Sequence, residues 1–515
     1  MRSYQGRNGR QRAAGAAAAV LGALAVAAAA ASAGAPASFS TAVGAGWAQP
    51  GQGVAGTRAV VATAISARTV ARLAPVWRFT FPGDPGFSGS YASTPVVAGG
   101  VVFLQDLFSD VYALDLRTGA TRWARRFHEV NGGPNGVAAV GGRVYGNTST
   151  RAFALDARTG RVLWTRRLIR PGEPFIEVAP VVAGGIVFTS TLGFPPNGKG
   201  TLYGLDAATG AVRWRYVTVV DPWAVPKAAG GGGAWWPGAV DSSGRLFFGN
   251  SNPYPYGGTA SYPNGAVYAG PARWTSSLLA LEARSGRLLW AYQVVPHDVR
   301  DYDVGAPVVV DLRIAGRAVP AVLAPSKNGR VYAWDRRSGR LLWSTAVGRH
   351  ENDTGPLPRA RVSVCPGLLG GVETPTAYSA GRLFVPVVDL CLQGGATGFE
   401  NLYRVDYSQG RGALVALDAT TGRRLWQRRF ASPNFGCAAV ARDVVFTATY
   451  DGWVYGLSVR TGATLWRVRA PAGVNACPAI AGDTLLLGAG AVDAKGIADP
   501  VPQLVAYRLP SGRAG

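Results

Sequence analysis

The sequence predicts an all-β fold, an eight-bladed β-propeller, from its composition and from one repeated pattern. The 515 residues include 70 Gly, 34 Pro and 15 Trp, whereas only 16% of the residues are charged. Such a chain is rich in turn-forming and core-forming residues and poor in helix-forming ones, so it favours short strands joined by tight turns. The repeated pattern has ten residues, as in "LDLRTGATRW", and ends in Trp each time.

The repeated pattern is typical of a β-hairpin. A strand ends at an acidic residue (Ser in the last copy), a Thr-Gly or Ser-Gly pair turns the chain, and the next strand carries the Trp. Gly supplies the positive φ that such a turn needs, and the acid caps backbone N–H groups. Another strand pair precedes each copy, and four short strands in about 40 residues are typical of one propeller blade. The seven complete copies end at Trp123, Trp164, Trp214, Trp290, Trp343, Trp426 and Trp466.

The two ends of the chain predict how the ring closes. The final copy, "LVAYRLPSGRAG", stops one position before its Trp, whereas an isolated "LAPVWRF" with Trp77 lies near the start. We therefore expect the N-terminal strand to pair with the last blade and complete it, so that no sheet edge stays open. Two long intervals between repeat tryptophans, 214–290 and 343–426, predict insertions on one face, where functional residues tend to lie.

Residues 1–37 have the layout of a secretory signal peptide. Four arginines precede an Ala-rich apolar run, and small residues follow it. A single membrane anchor is the alternative, because the run is long, although it is only weakly apolar. We assign 38–59 to a flexible segment and 60–515 to the propeller. No later run reaches the roughly 18 apolar residues of a membrane span, so we expect a secreted or cell-envelope protein with no stable membrane span after leader removal.

The positive charge of the chain does not predict a nucleic-acid partner. The formal net charge of +23 falls to +19 when the four leader arginines are subtracted. The remaining arginines lie mostly in scattered "RTGR" and "RSGR" turns rather than in runs, and export argues against DNA. We interpret them as a soluble surface that could attract an acidic partner.

The four cysteines fit an oxidising compartment and predict two disulfides. None lies in a CxxC or CxxCH arrangement, which argues against a covalently attached haem and against a Cys-based zinc site. Cys437 and Cys477 each lie eleven residues after the Trp of their repeats, so they occupy equivalent positions on neighbouring blades. Cys365 and Cys391 flank a hairpin-like segment and form the natural second pair. Each pairing requires Cα atoms within about 7 Å.

The repeat and three further segments resemble the quinoprotein dehydrogenases, which bind pyrroloquinoline quinone (PQQ). The resemblance covers roughly residues 60–512 and includes the alcohol, glucose and polyvinyl alcohol dehydrogenase branches. "AWWPGAVDSSGRLFFGNSNPYP" resembles the segment with a calcium-binding Asn, and "WAYQVVPHDVRDYD" resembles the segment with the catalytic Asp. "LAPSKNGRVYAWDRRSG" resembles the segment whose Lys contacts the quinone oxygens. The order and spacing of these segments agree with the family.

The resemblance implies a role for each matched residue. It places Asp298 at the catalytic position, as the base that takes the proton of a substrate hydroxyl. Trp235 falls at the ring-stacking position, and Lys327 offers a cation to the quinone oxygens. Asn252 and Asp298 are expected to bind Ca²⁺, which prefers oxygen ligands. Asn475 is a further candidate quinone contact, with an ordinary turn Asn as the equal alternative.

Two more residues and several alternatives complete the predicted site. His297 and Asp301 are expected to orient the loop that carries the catalytic residue. Each assignment has a structural alternative, namely a turn cap for the Asp, an exposed loop Lys, an Asx-turn for the Asn and blade packing for the Trp. The alcohol dehydrogenase branch also has a calcium-binding Glu, and an ungapped match puts Pro195 at that position, so the match supplies no Glu ligand there. The adjacent Cys pair of the alcohol dehydrogenase branch is missing from the matching segment.

Together these features predict an exported PQQ-dependent dehydrogenase that oxidises an alcohol or sugar hydroxyl. We expect PQQ and Ca²⁺ as cofactors, and a small-molecule or polymeric alcohol as substrate. Because the chain has no haem motif, electrons would pass to an external acceptor such as a cytochrome c. The alternative is a non-catalytic propeller that acts as an extracellular protein-interaction scaffold. Convergence of Trp235, Asn252, Asp298 and Lys327 on one cavity would favour the enzyme.

Overall fold

Short antiparallel strands make up most of the fold, as the sequence predicts. The computed structural model describes residues 39, 46–83, 89–169, 175–193, 198–219, 230–268, 270–401 and 405–510. These residues belong to one unit, Ser38–Gly515. The predicted signal peptide, 1–37, lies outside the described residues. In the part of the chain that is described, no helix reaches the length and apolar character needed to cross a membrane.

The described residues contain eight sheets of four or five strands, which we number in chain order. The first strands are β1 (Ala59–Val60), β2 (Ala74–Thr80), β3 (Val96–Ala98), β4 (Val101–Gln105), β5 (Val111–Asp115), β6 (Thr121–Arg125), β7 (Val137–Val140), β8 (Arg143–Asn147), β9 (Arg151–Asp156), β10 (Val162–Arg167), β11 (Val181–Ala183), β12 (Ile186–Thr191), β13 (Thr201–Asp206), β14 (Val212–Val217), β15 (Gly230–Gly231), β16 (Ala239–Val240), β17 (Arg245–Asn250), β18 (Pro253–Tyr254), β19 (Ser277–Glu282) and β20 (Leu288–Gln293). Strands β3–β6, β7–β10 and β11–β14 form sheets 1, 2 and 3, and β16, β17, β19 and β20 form sheet 4.

The second half continues in the same way. Its strands are β21 (Val308–Ile314), β22 (Arg317–Ser326), β23 (Arg330–Asp335), β24 (Leu341–Ala346), β25 (Val362–Val364), β26 (Ala377–Ser379), β27 (Arg382–Asp389), β28 (Leu392–Gly395), β29 (Gly398–Phe399), β30 (Arg411–Asp418), β31 (Arg424–Phe430), β32 (Ala439–Ala441), β33 (Val444–Ala448), β34 (Trp453–Ser458), β35 (Thr464–Arg469), β36 (Ala479–Ala481), β37 (Thr484–Ala489) and β38 (Gln503–Arg508). Sheet 5 is β21–β24, sheet 6 is β26, β27, β30 and β31, sheet 7 is β32–β35 with β1, and sheet 8 is β36–β38 with β2. Strands β15 and β18, and strands β25, β28 and β29, form two small additional sheets. The described residues also include the short 3-10 helices Val70–Arg72, Pro263–Gly265 and Tyr407–Gln409.

The repeat forms the predicted hairpin turn between the third and fourth strands of a sheet. In sheet 1, Asp115 Oδ1 accepts hydrogen bonds from the backbone N–H groups of Arg117 and Thr118, at 3.0 and 2.9 Å. Gly119 follows with φ of +76°, a conformation that costs Gly little and other residues more. The acid and the glycine of the repeat are therefore both explained by this turn.

The repeat tryptophans join neighbouring sheets. Each indole Nε1 donates a hydrogen bond of 2.9 to 3.2 Å to a backbone carbonyl on the next sheet, and the ring packs beside the turn. The donor and acceptor residues are Trp77 and Leu116, Trp123 and Ala157, Trp164 and Ala207, Trp214 and Ala283, Trp290 and Arg336, Trp343 and Ala419, Trp426 and Val459, and Trp466 and Leu73. The repeat tryptophans therefore have a structural role, because they hold neighbouring sheets together.

The N-terminal strand pairs with the last one, as predicted. Strand β2 lies antiparallel to β38, with Trp77 opposite Ala506. The Trp77 indole donates to Leu116 O in sheet 1 at 3.0 Å. A strand from the beginning of the chain therefore completes sheet 8 and contacts sheet 1.

The sequence analysis assigns 38–59 to a flexible segment, and the described residues 46–59 of it are hydrogen-bonded to several sheets. This stretch follows the first strands of successive sheets, which donate backbone hydrogen bonds to it. The donor and acceptor residues are Val97 and Trp47, Ala139 and Ala48, Val240 and Val54, Val309 and Ala55, Tyr378 and Thr57, and Val440 and Arg58. Trp47 and Arg58 are buried, with 0% and 2% exposure. The segment is held by partners far away in the sequence, so its local composition did not reveal it.

Both predicted disulfides are confirmed. Cys365 pairs with Cys391 at a Cα–Cα distance of 4.6 Å, and Cys437 pairs with Cys477 at 5.0 Å. The second bridge joins the chain just before β32 to the chain just before β36, and so links sheets 7 and 8.

Candidate active site

One cavity of about 300 Å³ lies at one end of the sheets. In an antiparallel sheet of four successive strands, the connection between the second and third strands leaves from the same end as the connections to neighbouring sheets. The residues lining the cavity come from these two kinds of connection. Both long insertions contribute, through Tyr254 and Tyr256 in the first and Leu369 and Tyr407 in the second.

Two tryptophans form one wall of the cavity, and a disulfide packs against them. Trp235 and Trp236 line it, with ring centroids 5.3 Å apart. Trp236 packs against the buried Cys437–Cys477 bridge and donates from Nε1 to Glu373 O at 2.9 Å. The Trp235 Nε1 is buried and has no hydrogen-bond partner among the described residues. This wall offers flat aromatic surface backed by covalently linked strands.

A lysine surrounded by carboxylates forms the charged part of the site. Lys327 Nζ lies 2.7 Å from Asp301 Oδ2, 3.8 Å from Asp303 Oδ2 and 3.7 Å from Glu373 Oε2. The Lys327 side chain is 5% exposed, and its Nζ lies 5.5 Å from the centroid of the Trp235 ring. Burial alone would lower the pKa of Lys327, but the charges of Asp301, Glu373 and Asp303 outweigh burial and raise that pKa.

The structure does not bring Asp298, the predicted catalytic base, to the cavity wall. Its Oδ1 accepts from Arg300 N at 2.7 Å, and its Oδ2 accepts from Tyr302 N at 2.6 Å and from Ser276 Oγ at 3.0 Å. These bonds use the carboxylate to close the loop, which is the turn-cap alternative. Burial raises the pKa of Asp298, and the three hydrogen bonds oppose that rise.

Asp301 takes the position in the cavity that the sequence had assigned to Asp298. It lines the cavity, contacts Lys327 and has a φ of +65°. A non-glycine residue in this left-handed region is uncommon, and such conformations cluster at functional sites. The prediction that Asp301 only orients the loop therefore understates its place in the structure. His297 lies outside the cavity lining, and its ring nitrogens contact Gly270 O and Asn264 O.

Three other predicted residues do converge. Asn252, Lys327 and Asn475 all line the cavity together with Trp235. The backbone N–H of Asn252 donates to Asp303 Oδ1 at 2.5 Å, and its Nδ2 donates to Pro253 O at 2.8 Å. The Nδ2 hydrogen bond therefore orients the side-chain amide of Asn252, and the backbone hydrogen bond ties the residue to Asp303.

Glu177 is a cavity residue that the sequence analysis missed. The ungapped match pointed to Pro195, which lies outside the described residues. Glu177 lines the cavity, and burial raises its pKa to about 8. Glu177, Asp303 and Glu373 each lie a few residues before the first strand of a sheet. A search of these connections for acidic residues could therefore have found Glu177.

The residues present fit a hard cation and a flat polar cofactor. Within the described chain Glu177 has no ion-pair partner, and the buried Oε2 of Glu373 has the Lys327 ammonium group at 3.7 Å but accepts no hydrogen bond. Such groups are costly unless a ligand satisfies them. The described residues contain no ready-made cluster of three His, Cys, Asp or Glu side chains for a metal ion. Carboxylate and amide oxygens are nevertheless the donors that Ca²⁺ and similar ions prefer.

The fold and the site define a β-propeller protein with a buried, charged ligand cavity. The chain belongs to the family described as glucose/ethanol/alcohol dehydrogenase, beta-propeller domain, whose model matches residues 47–136 and 167–354. This is the PQQ quinoprotein dehydrogenase family that the sequence resembles. A second model, described as outer membrane protein assembly factor BamB, matches residues 327–513.

Individual relatives agree with this assignment. The chain is 26% identical to the quinoprotein alcohol dehydrogenase PedH of Pseudomonas putida over 486 residues, which cover 80% of this chain and 79% of PedH. It is 27% identical to the lanthanide-dependent methanol dehydrogenase of Methylacidiphilum fumariolicum over 45% of this chain and 43% of that protein. The structure of the quinohemoprotein alcohol dehydrogenase of Comamonas testosteroni matches with a TM-score of 0.78 and 22% identity, covering 92% of this chain and 82% of the other.

Proposed function

We propose that the chain is a PQQ-dependent alcohol dehydrogenase. The observation that carries this proposal is the single cavity that joins Trp235, Lys327, Asp301 and Glu177. A scaffold has no need for a buried cation, several buried carboxylates and an aromatic wall in one place, because such groups are costly to bury. The relatives named as alcohol dehydrogenases support the same reaction class. An alcohol is therefore the expected substrate, and a sugar hydroxyl is a further possibility to test.

When bound, PQQ supplies the acceptor for the hydride of the alcohol. Trp235 would hold its flat ring system, and Lys327 would contact a quinone oxygen and stabilise negative charge there. The apolar wall beside these residues excludes water, which strengthens both interactions. Asn475 is a candidate for a further polar contact from the same wall.

Asp301 would act as the general base in place of Asp298. A base must reach the hydroxyl proton of the substrate, and only the Asp301 carboxylate of these two lines the cavity. Burial raises the pKa of Asp301 to about 6 despite the opposing effect of Lys327. The carboxylate is thus more basic than an exposed Asp. Asp298 would hold the loop that presents it.

Glu177, Asn252, Asp301 and Asp303 would hold the metal ion. The sequence predicts Ca²⁺, and a lanthanide ion is the second candidate. The second carboxylate at Asp303 adds negative charge, which a trivalent ion offsets more strongly than a divalent one. The name of the Methylacidiphilum relative, a lanthanide-dependent enzyme, supports this candidate.

The remaining features are proposed from the sequence and the sheet contacts. The eight sheets would form one closed ring of eight blades, because the Trp contacts run from sheet to sheet and include sheets 8 and 1. The protein would be exported through residues 1–37 and would pass electrons to a separate acceptor such as a cytochrome c. The rival function is an interaction scaffold, which the partial match to the BamB model favours.

Reconstitution tests the proposal directly. The purified protein is incubated with PQQ and either Ca²⁺ or La³⁺, and reduction of an artificial dye is followed with primary alcohols and with glucose. Alcohol-dependent dye reduction that requires both PQQ and a metal ion is the expected result. Absence of PQQ binding at micromolar concentration with either metal would reject the enzyme and leave the scaffold.

A further inference from the structure

Arg58 is a buried cation that donates hydrogen bonds to neutral groups within the described chain. The residue as a whole is 2% exposed. None of the ion pairs between described residues involves Arg58. Burial lowers the pKa of Arg58 to about 9. Burying a charge without an opposite charge is costly. The hydrogen bonds of Arg58 must therefore compensate for the lost water, and they show which parts of the chain the guanidinium joins.

The guanidinium of Arg58 joins two strands that the second disulfide also joins. Nε donates to Ala438 O and Nη2 donates to Pro478 O, each at 2.9 Å. Ala438 directly follows Cys437, and Pro478 directly follows Cys477. The planar guanidinium fork therefore spans the same two chain segments as the Cys437–Cys477 bridge, one residue further along each segment.

A third group of contacts ties this fork to the N-terminal segment. Nη1 donates to Pro50 O at 2.7 Å and to Thr94 Oγ1 at 3.4 Å, and the Arg58 Cζ lies 5.3 Å from the Trp47 ring centroid. The backbone around Arg58 is itself bonded to the first strands of successive sheets. Arg58 is thus held in place by contacts other than those that its guanidinium makes to sheets 7 and 8.

The disulfide beside Arg58 packs against the aromatic wall of the cavity. Cys437 and Cys477 pack against Trp236, and Trp235 packs against the same cluster. A small void of about 20 Å³ has Trp236 on one side and Arg58, Pro50 and Thr94 on others. The contacts therefore run from Arg58 to the Cys437–Cys477 segments and from these to Trp236.

We propose that Arg58 is a positioning residue for the aromatic wall, acting through the Cys437–Cys477 crossing and Trp236. The N-terminal segment, 46–60, is then part of the construction of the ligand cavity and not only a means of holding the ring. The effect on PQQ affinity rests on the proposed function, whereas the effect on the disulfide crossing does not.

The first test measures the disulfide crossing without any cofactor. Arg58→Lys keeps the positive charge but loses the planar guanidinium that donates to both chain segments. Arg58→Met loses both the charge and the donors. The matched control is Arg143→Met, because Arg143 Nη1 also donates to two carbonyls, Ala207 O and Ala208 O, but lies far along the chain from the crossing. The rate at which a thiol reduces each disulfide is followed by mass spectrometry, with Cys365–Cys391 as the internal reference.

We expect both Arg58 variants to accelerate reduction of Cys437–Cys477 by about tenfold relative to Cys365–Cys391. Arg143→Met should leave the ratio unchanged. If Arg58→Met does not fold, Arg58→Lys carries the test. An unchanged ratio in folded Arg58→Lys would overturn the proposal, as would an equal change in the control.

The second test measures PQQ affinity by quenching of Trp fluorescence. Arg58→Lys should weaken PQQ binding about tenfold or more, as loss of an outer-layer partner does in other sites, and leave turnover at saturating PQQ unchanged. The double variant Arg58→Lys with Trp236→Phe should bind PQQ as tightly as the single variant that binds it less well. Additive effects would reject action through Trp236. Failure of the wild type to bind PQQ would reject the proposed function, and the reduction ratio would still decide the role of Arg58.

Discussion

Lys327 Nζ and Asp301 Oδ2 are 2.7 Å apart in a cavity that shields both from water. The same ammonium group lies within 4 Å of Asp303 and Glu373, so one cation faces three carboxylates. A metal ion bound by Asp301 and Asp303 would compete with the Lys327 ammonium group for these two carboxylates. Lys327 would then keep Glu373 as its partner. This arrangement would link the proposed cofactor contact, the proposed base and the proposed metal ligands in one electrostatic group.

The first prediction separates the two aspartates of the loop. Asp301→Asn should lower kcat by about 10²- to 10⁴-fold, the range expected for loss of a general base. Asp298→Asn should lower the melting temperature, because it disturbs three hydrogen bonds of a buried cap, and should leave more activity than Asp301→Asn. Dye-linked kinetics and thermal unfolding of both variants measure this. The reverse order of activities would restore Asp298 as the base.

The hairpins and the Trp contacts could be predicted because their causes are local. The acid, the Gly and the Trp of each repeat lie within ten residues, and the turn at Asp115 forms as its spacing indicates. The disulfides could be predicted because the repeat gives Cys437 and Cys477 equivalent positions. In each case the interacting residues are either close in the sequence or separated by one period of the repeat.

The site was predicted less completely because it is built from irregular connections. Three acids lie within six residues at Asp298, Asp301 and Asp303, and the path of the loop decides which of them faces the cavity. Glu177 was missed because an ungapped match fails where connections differ in length. Arg58 was missed because its partners lie up to 420 residues away. Such contacts have no periodic signal in the sequence.

The second prediction concerns the metal ion. Glu177→Gln removes a negative charge from the cavity and should weaken binding of Ca²⁺ or a lanthanide ion about 10- to 100-fold. Titration of the apoprotein with Tb³⁺, followed by luminescence, measures the affinity without requiring turnover. Glu129→Gln is the control, since this partly exposed acid pairs with Arg151 instead. Equal Tb³⁺ affinity in Glu177→Gln and the wild type would remove Glu177 from the ligand set.

The third prediction concerns Lys327 itself. Lys327→Met leaves the surrounding carboxylates without their cation, and breaking a buried pair in this way costs about 3 to 5 kcal/mol. A bound metal ion should offset part of that loss, since it supplies positive charge to the same carboxylates. The free energy of unfolding in urea, measured with and without La³⁺, should therefore rise more with La³⁺ in Lys327→Met than in the wild type. An equal rise in both proteins would contradict the shared electrostatic group.

The last prediction tests the contact between sheets 8 and 1. A Cβ at Gly119 would lie 2.7 Å from the Trp77 ring, and the φ of Gly119 is +76°. Gly142 has nearly the same φ, +74°, but a Cβ there would meet nothing within 4 Å. Gly142→Ala should therefore cost only about 1 kcal/mol of backbone strain, whereas Gly119→Ala adds overpacking against the indole and should cost about 1 to 3 kcal/mol more. Urea unfolding of the two variants measures the difference directly. Equal free energies of unfolding would mean that Trp77 does not pack on the Gly119 turn, and the proposed closure of the ring would lose its main support.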